Sequence, residues 1–137
     1  MLKTLIVDDS TTFRKIFRSA LCERFPFMLI EEASGATETL QKIKTFLPDV
    51  IFMDIRLPDE SGLEFTKRIK ASHPEIVVII LTAYDLPEYR EAAYNGGADA
   101  FISKNSLNLA DIAALIKSVF SDDRCYDLHD PGKDGCL

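Results

Sequence analysis

The chain has 137 residues, 47% of them hydrophobic and 28% charged, and a formal net charge of -6. That length suits one domain with one buried core, and the composition excludes a disordered chain. The acidic balance argues against nucleic-acid binding by the domain itself, because phosphate recognition needs a basic face.

Apolar, β-prone runs alternate with segments of helical period along the chain. The first strand is expected over residues 4–7. It is broken at once by Asp8-Asp9, so the N-terminus is neither a signal peptide nor a membrane span. A helix follows, with Ser10 as N-cap and Phe13, Ile16, Phe17, Ala20 and Leu21 on one face. Residues 27–30 read as the second strand. Ala36, Leu40, Ile43 and Leu47 form the next helical stripe, which Pro48 stops. Residues 50–53 are a short, wholly apolar third strand.

Ser61 followed by Glu64 reads as a capping box that opens the third helix, and Pro74 ends it. Residues 76–81 are the strongest strand signal, six positions with no polar member. Pro87 suits the first turn of a fourth helix, and Gly96-Gly97 terminates it. Phe101-Ile102 marks the fifth strand. The last helix carries Leu109, Ile112, Ala113, Ile116, Val119 and Phe120 at helical spacing. From residue 121 to 137 the composition turns polar, which reads as a tail or the start of a linker after a domain of residues 1–120.

Five βα units in a row imply a parallel sheet with helices on both faces. Strands that are apolar throughout, without alternation, fit a sheet buried on both sides. The three cysteines, Cys22, Cys125 and Cys136, are odd in number and show no framework spacing, which suggests reduced thiols and a cytoplasmic location. His73 and His129 are isolated and receive no site.

In open parallel α/β sheets, ligands bind at the carboxyl ends of the strands. Here the first strand ends in Asp8-Asp9, the third in Asp54, the fourth in Thr82 and the fifth in Ser103-Lys104. In a doubly wound sheet these four strands can be neighbours. Three carboxylates placed together cannot all stay charged cheaply unless a cation enters. Oxygen donors without His or Cys favour a hard ion, Mg²⁺ or Mn²⁺. Asp9 and Asp54 could be direct ligands, and Asp8 direct or water-linked. A carboxylate in such a place can attack phosphorus and become an aspartyl phosphate. The metal, Lys104 and the Thr82 hydroxyl would each neutralise one oxygen of the transferred group.

Four stretches carry a resemblance to a known family. They are Leu5-Ile6-Val7-Asp8-Asp9-Ser10, Met53-Asp54-Ile55-Arg56-Leu57-Pro58, Leu81-Thr82-Ala83 and Gly97-Ala98-Asp99-Ala100-Phe101-Ile102-Ser103-Lys104. In order and spacing they resemble the receiver domains of bacterial two-component systems, over residues 2 to 120. The resemblance implies a flavodoxin-like sheet of five parallel strands, order 2-1-3-4-5, flanked by five helices. It implies Asp54 as phosphoacceptor and Asp8 and Asp9 as the acidic pair holding Mg²⁺, with the Arg56 backbone carbonyl as a further ligand. It implies Thr82 as the switch hydroxyl, Phe101 as the switch aromatic and Lys104 as the lysine that bonds the phosphoryl group. Pro58 and Gly62 fit the family's loop after the phosphoacceptor.

The family usually has proline after that lysine, often with a cis peptide, and here the residue is Asn105. A cis bond before Asn would cost about 3 kcal/mol or more. The run Ser103-Lys104-Asn105-Ser106 looks more like receivers of regulators with a helix-turn-helix DNA-binding output. The implied partners are a sensor histidine kinase or phosphotransfer protein and a downstream output domain or target. The last helix and its neighbours offer a symmetric face for a phosphorylation-dependent homodimer. Arg56 and Tyr84, two positions beyond Asp54 and Thr82, should flank the phosphoryl group and tune dephosphorylation.

Three rival readings have distinct signatures. A metal-dependent phosphohydrolase with a nucleophilic Asp usually carries a second Asp two residues on, and Arg56 stands there. A receiver-like binding module that has lost phosphorylation would lack site residues, and all are present. A flavin carrier on this fold needs a phosphate-cradling loop after the first strand, where Asp8-Asp9 would repel it.

Overall fold

The computed structural model describes residues 2–119. Its first strand, β1 (Lys3–Val7), lies between β2 (Leu29–Ala33) and β3 (Val50–Met53). The sheet continues through β4 (Val77–Thr82) to β5 (Ala100–Ser103), giving the order β2-β1-β3-β4-β5 with every pairing parallel. The expected strand order is therefore present. The intervening helices are α1 (Thr11–Arg24), α2 (Ala36–Thr45), α3 (Gly62–Ser72), α4 (Pro87–Asn95) and α5 (Leu109–Val119).

Two cores form because the central strands are buried on both faces. Alternate residues along a strand point to opposite sides. Thus Leu5, Val7, Ile51, Met53, Val78 and Ile80 join one cluster with Ile43 of α2, Phe65 and Ile69 of α3 and Ala93 of α4. Ile6, Val50, Phe52, Ile79 and Leu81 join the other with Phe17 and Leu21 of α1 and Ile112 and Ile116 of α5. Each fully buried large side chain is worth about 1.5–3 kcal/mol of transfer free energy. One polar atom in this interior has no partner: the hydroxyl of Thr4 is buried and unbonded among the described residues.

The edge strand is where local reading and structure part. β2 was expected over residues 27–30, but Phe27 is exposed and the strand runs on through Glu31 and Glu32 to Ala33. An edge strand needs no unbroken apolar run, because its glutamates can find cations on the flanking helices. Glu31 pairs with Lys42 of α2 at 2.5 Å, and Glu32 with Arg14 and Arg18 of α1 at 2.9 and 3.0 Å.

Three residues counted into helical stripes also lie outside the core: Ile16, Leu40 and Leu47 are all exposed. Leu47 lies beyond the C-cap of α2 and takes a positive φ of 57°, a position usually given to glycine. The remaining bounds shift by a residue or two. Phe120 and the polar segment 121–137 lie outside the described residues.

The register positions the strand ends. Val7 pairs with Met53, Met53 with Ile80, and Thr82 with Ser103. Asp8, Asp54, Thr82 and Lys104 therefore emerge together at one rim of the sheet.

Candidate functional site

Asp8 and Asp54 directly follow β1 and β3, whose last residues are paired, so their side chains leave the sheet side by side. Asp8 is 2% exposed and Asp54 7%, whereas Asp9 faces solvent. One carboxylate oxygen from each of Asp8, Asp9 and Asp54 lies within 4.8 Å of the others. Lys104 reaches in from the end of β5. Its Nζ donates to Asp8 Oδ2 at 2.6 Å and to Asp54 Oδ2 at 3.4 Å.

Burial pushes the Asp8 carboxyl above its ordinary value of 3.8. The bonds from Lys104 and from the Ser10 backbone N–H pull it down, while the charge of Asp54 adds to the rise. One ammonium thus stands against three carboxylates. An all-oxygen donor set with an uncompensated negative charge fits a hard divalent ion such as Mg²⁺.

The backbone around Asp54 is held closely. Its N–H donates to Val7 O at 3.0 Å, and its own Oδ1 accepts from Ile55 N–H at 2.7 Å. The first residue of α3 is Gly62, whose N–H donates to Ile55 O at 2.7 Å. A Cβ at Gly62 would stand 2.0 Å from the Asp54 carbonyl oxygen, so only glycine permits this approach. Ser61 caps α3 as expected, though its hydroxyl accepts from Leu63 N–H while Glu64 lies near Lys67 at 3.9 Å.

Thr82 is fully buried at the end of β4, and its hydroxyl accepts from Tyr84 N–H at 3.2 Å. The Arg56 guanidinium lies over the Tyr84 ring at 4.1 Å, so these two residues face each other above the strand ends. Phe101 is 6% exposed, with the Arg90 guanidinium of α4 over its ring at 4.6 Å. Arg90 in turn pairs with Asp85 at 3.0 Å.

The lysine loop resolves the question raised by Asn105. No peptide bond among the described residues is cis, and Lys104–Ser106 forms a turn of 3-10 helix. Asn105 N–H donates to Ser103 Oγ at 3.1 Å, a bond that proline could not make.

Sequence reasoning missed three residues of the surroundings. Asp59 caps α2 from the loop after β3, accepting from Ala36 N–H, Thr37 N–H and the Thr37 hydroxyl. Arg14 of α1 ties the Asp8 backbone carbonyl to Glu32 of β2. Burial raises Glu32, but the bonds from Arg18 and Arg14 outweigh it and hold the carboxyl below its usual value. Phe13, counted as core, presents its ring to the Lys104 ammonium at 4.0 Å. No local pattern announces these contacts, since each partner lies on another element.

A doubly wound parallel sheet with an acidic, lysine-bearing pocket at its carboxyl rim defines a small α/β domain of the flavodoxin-like class, with its candidate site where such sheets bind ligands. The family model for the response regulator receiver domain matches residues 4–117. The chain belongs to this family, the receiver domains of two-component response regulators. It is 33% identical over 127 residues to the oxygen regulatory protein NreC of Staphylococcus carnosus (strain TM300), covering 92% of this chain and 58% of that protein. A CheY-like receiver domain protein from Methanospirillum hungatei JF-1 superposes with a TM-score of 0.76 at 32% identity, covering 86% of this chain and 92% of that one. A DNA-binding response regulator of the LuxR family from Staphylococcus aureus superposes with a TM-score of 0.76 at 25% identity, covering 88% and 98%. The chain spans 58% of the length of the first curated relatives it matches. No helix among the described residues is long and apolar enough to cross a membrane.

Proposed function

We propose that this receiver domain accepts a phosphoryl group on Asp54 from a sensor histidine kinase or phosphotransfer protein, in a Mg²⁺- or Mn²⁺-dependent reaction. The observation that carries the reading is the convergence of Asp8, Asp9, Asp54 and Lys104 at the end of the sheet. An Asp54 carboxylate oxygen attacks phosphorus, and the bond from phosphorus to the donor nitrogen breaks, leaving its electron pair on the imidazole. Asp8, Asp9, Asp54 and the Arg56 backbone carbonyl would hold the metal, which supplies positive charge to the phosphoryl oxygens when bound. The Lys104 ammonium and the Thr82 hydroxyl bond the other two oxygens.

Phosphorylation then acts as a switch. A ligand shifts a two-state balance only through bonds it makes better in one state. Here those bonds are the ones from Thr82 and Lys104, which favour the state where Thr82 turns toward the phosphoryl group. Phe101 moves inward behind it, away from the Arg90 guanidinium. The face of α4, β5 and α5 changes shape and engages an output domain or target, or a second phosphorylated copy. Arg56 and Tyr84, stacked beside the pocket, control water access and hence phosphate lifetime. The domain works as a cytoplasmic signalling element whose chemistry is confined to its own phosphorylation and dephosphorylation, with any output lying in a partner or in chain beyond residues 1–120.

The test is intact mass after incubation with Mg²⁺ and a small-molecule phosphodonor, with wild type beside Asp54→Asn. A single adduct in wild type, absent from the variant and without metal, supports the reading. No adduct in either protein, with metal binding confirmed, points instead to a phosphorylation-independent binding module. Alanine at Arg56 or Tyr84 should alter the lifetime of the adduct, and an unchanged lifetime in both removes their tuning role.

A further inference from the structure

Four residues from three elements close a ring of contacts at the site. Ser10 N–H donates to Asp8 Oδ1 at 2.8 Å, and Ser10 Oγ accepts from Phe13 N–H at 3.1 Å. The Phe13 ring faces Lys104 Nζ at 4.0 Å, and Lys104 Nζ donates to Asp8 Oδ2 at 2.6 Å. The ring of Phe13 is itself braced. It stacks on Phe17 at 5.5 Å and 21°, and Phe17 meets Phe52 edge-on at 5.1 Å and 88°. Phe17 and Phe52 are 2% and 1% exposed, and Phe52 lies in β3, two residues before Asp54. A rigid aromatic ladder therefore runs from the core of β3 to the lysine.

A lysine side chain is a flexible stem that loses conformational freedom when its ammonium is held at one place. The two carboxylates attract the charge, but they lie at unequal distances and Asp8 is the closer. The π-face of Phe13 supplies an attraction from a fixed direction without offering a competing anion.

We propose that Phe13 is a positioning residue for Lys104: its ring keeps the ammonium beside the pocket, within reach of both Asp8 and Asp54, so that it meets an incoming phosphoryl oxygen without a search. The proposal rests on the reading of Asp54 as phosphoryl acceptor. A leucine at position 13 would keep the apolar contact with Phe17 and lose the ring face. Tryptophan would keep a ring face of greater strength.

The test uses Phe13→Leu, Phe13→Met and Phe13→Trp in the whole chain, with the backbone amide spectrum checking that each is folded. The first readout is the NMR shift of the Lys104 ε-methylene group, assigned by its loss in Lys104→Arg. In wild type the ring should move this signal upfield; Phe13→Leu and Phe13→Met should return it to the ordinary lysine position, and Phe13→Trp should retain a ring shift. The second readout is the rate of Asp54 phosphorylation by a small-molecule phosphodonor with Mg²⁺. It should fall about three- to tenfold in the Leu and Met variants and recover in Phe13→Trp.

An unshifted wild-type signal, or Leu and Met variants that react at the wild-type rate, overturns the proposal. If wild type takes no phosphoryl group at all while the ring shift is present and vanishes in Phe13→Leu, the contact stands and the phosphoacceptor reading fails.

Discussion

Lys104 Nζ lies 2.6 Å from Asp8 Oδ2, across 96 residues of sequence, and this is the shorter of its two ion pairs at the site. The ammonium occupies ground that a divalent cation would share. Removing it should relieve competition for the carboxylates. Lys104→Met, which keeps most of the unbranched stem and removes the charge, should therefore bind Mg²⁺ more tightly than wild type, by on the order of tenfold given the partial exposure of the pair. Its phosphorylation should be slower, because the phosphoryl group loses a counter-charge. Calorimetric titration with Mg²⁺ checks the first effect, and equal or weaker affinity in the variant contradicts it.

Gly62 is required by the close approach of α3 to the Asp54 backbone. A Cβ there would lie 2.0 Å from Asp54 O and 2.9 Å from its carbonyl carbon. Backbone cannot yield as a side chain does, so Gly62→Ala must displace α3 or the end of β3. The expected cost is about 1–3 kcal/mol, with slowed phosphorylation of Asp54. Urea unfolding measures the cost, and a midpoint equal to wild type would refute the argument.

The buried hydroxyl of Thr4 has no partner among the described residues. It lies in β1, on the face shared with Ile6 and covered by α1 and α5. Valine has nearly the same shape and no polar atom to desolvate. Thr4→Val should stabilise the fold by about 1 kcal/mol, seen as a higher urea midpoint at unchanged slope. Destabilisation would mean that the hydroxyl is bonded in solution.

Asp59 ties the loop after β3 to the start of α2. The backbone N–H groups of Ala36 and Thr37 bond its carboxylate and hold it below its ordinary value of 3.8. A depressed folded-state value contributes stability above the unfolded value, and that contribution is lost as pH falls through the folded one. Asp59→Ala should be less stable at neutral pH by up to about 1 kcal/mol, since the carboxylate is exposed and solvent screens it. The gap between variant and wild type should close in acid, below the ordinary carboxylate range. Thermal unfolding at several pH values decides, and a gap independent of pH would assign the effect to packing.

The amino-acid sequence by itself determined the alternation of five strands and five helices and which residues end the strands. Both are local properties: unbroken apolar runs such as 50–53 require burial on both sides, and a polar residue directly after such a run must leave the sheet at its rim. Asp8, Asp9, Asp54, Thr82 and Lys104 were legible for that reason. The family resemblance, not periodicity, supplied the strand order and the roles.

Tertiary structure decided everything that depends on a partner distant in sequence. Glu31 and Glu32 sit in a strand because Lys42, Arg14 and Arg18 meet them from two helices. Ile16 and Leu40 have the period of core residues, yet both are exposed among the described residues. The cap of α2 arrives from Asp59, more than twenty residues downstream. Phe13 looks like one more core aromatic until β5 brings Lys104 to its face. Periodicity reports which side of an element is apolar, whereas the neighbour on that side is chosen only when the sheet has ordered its strands.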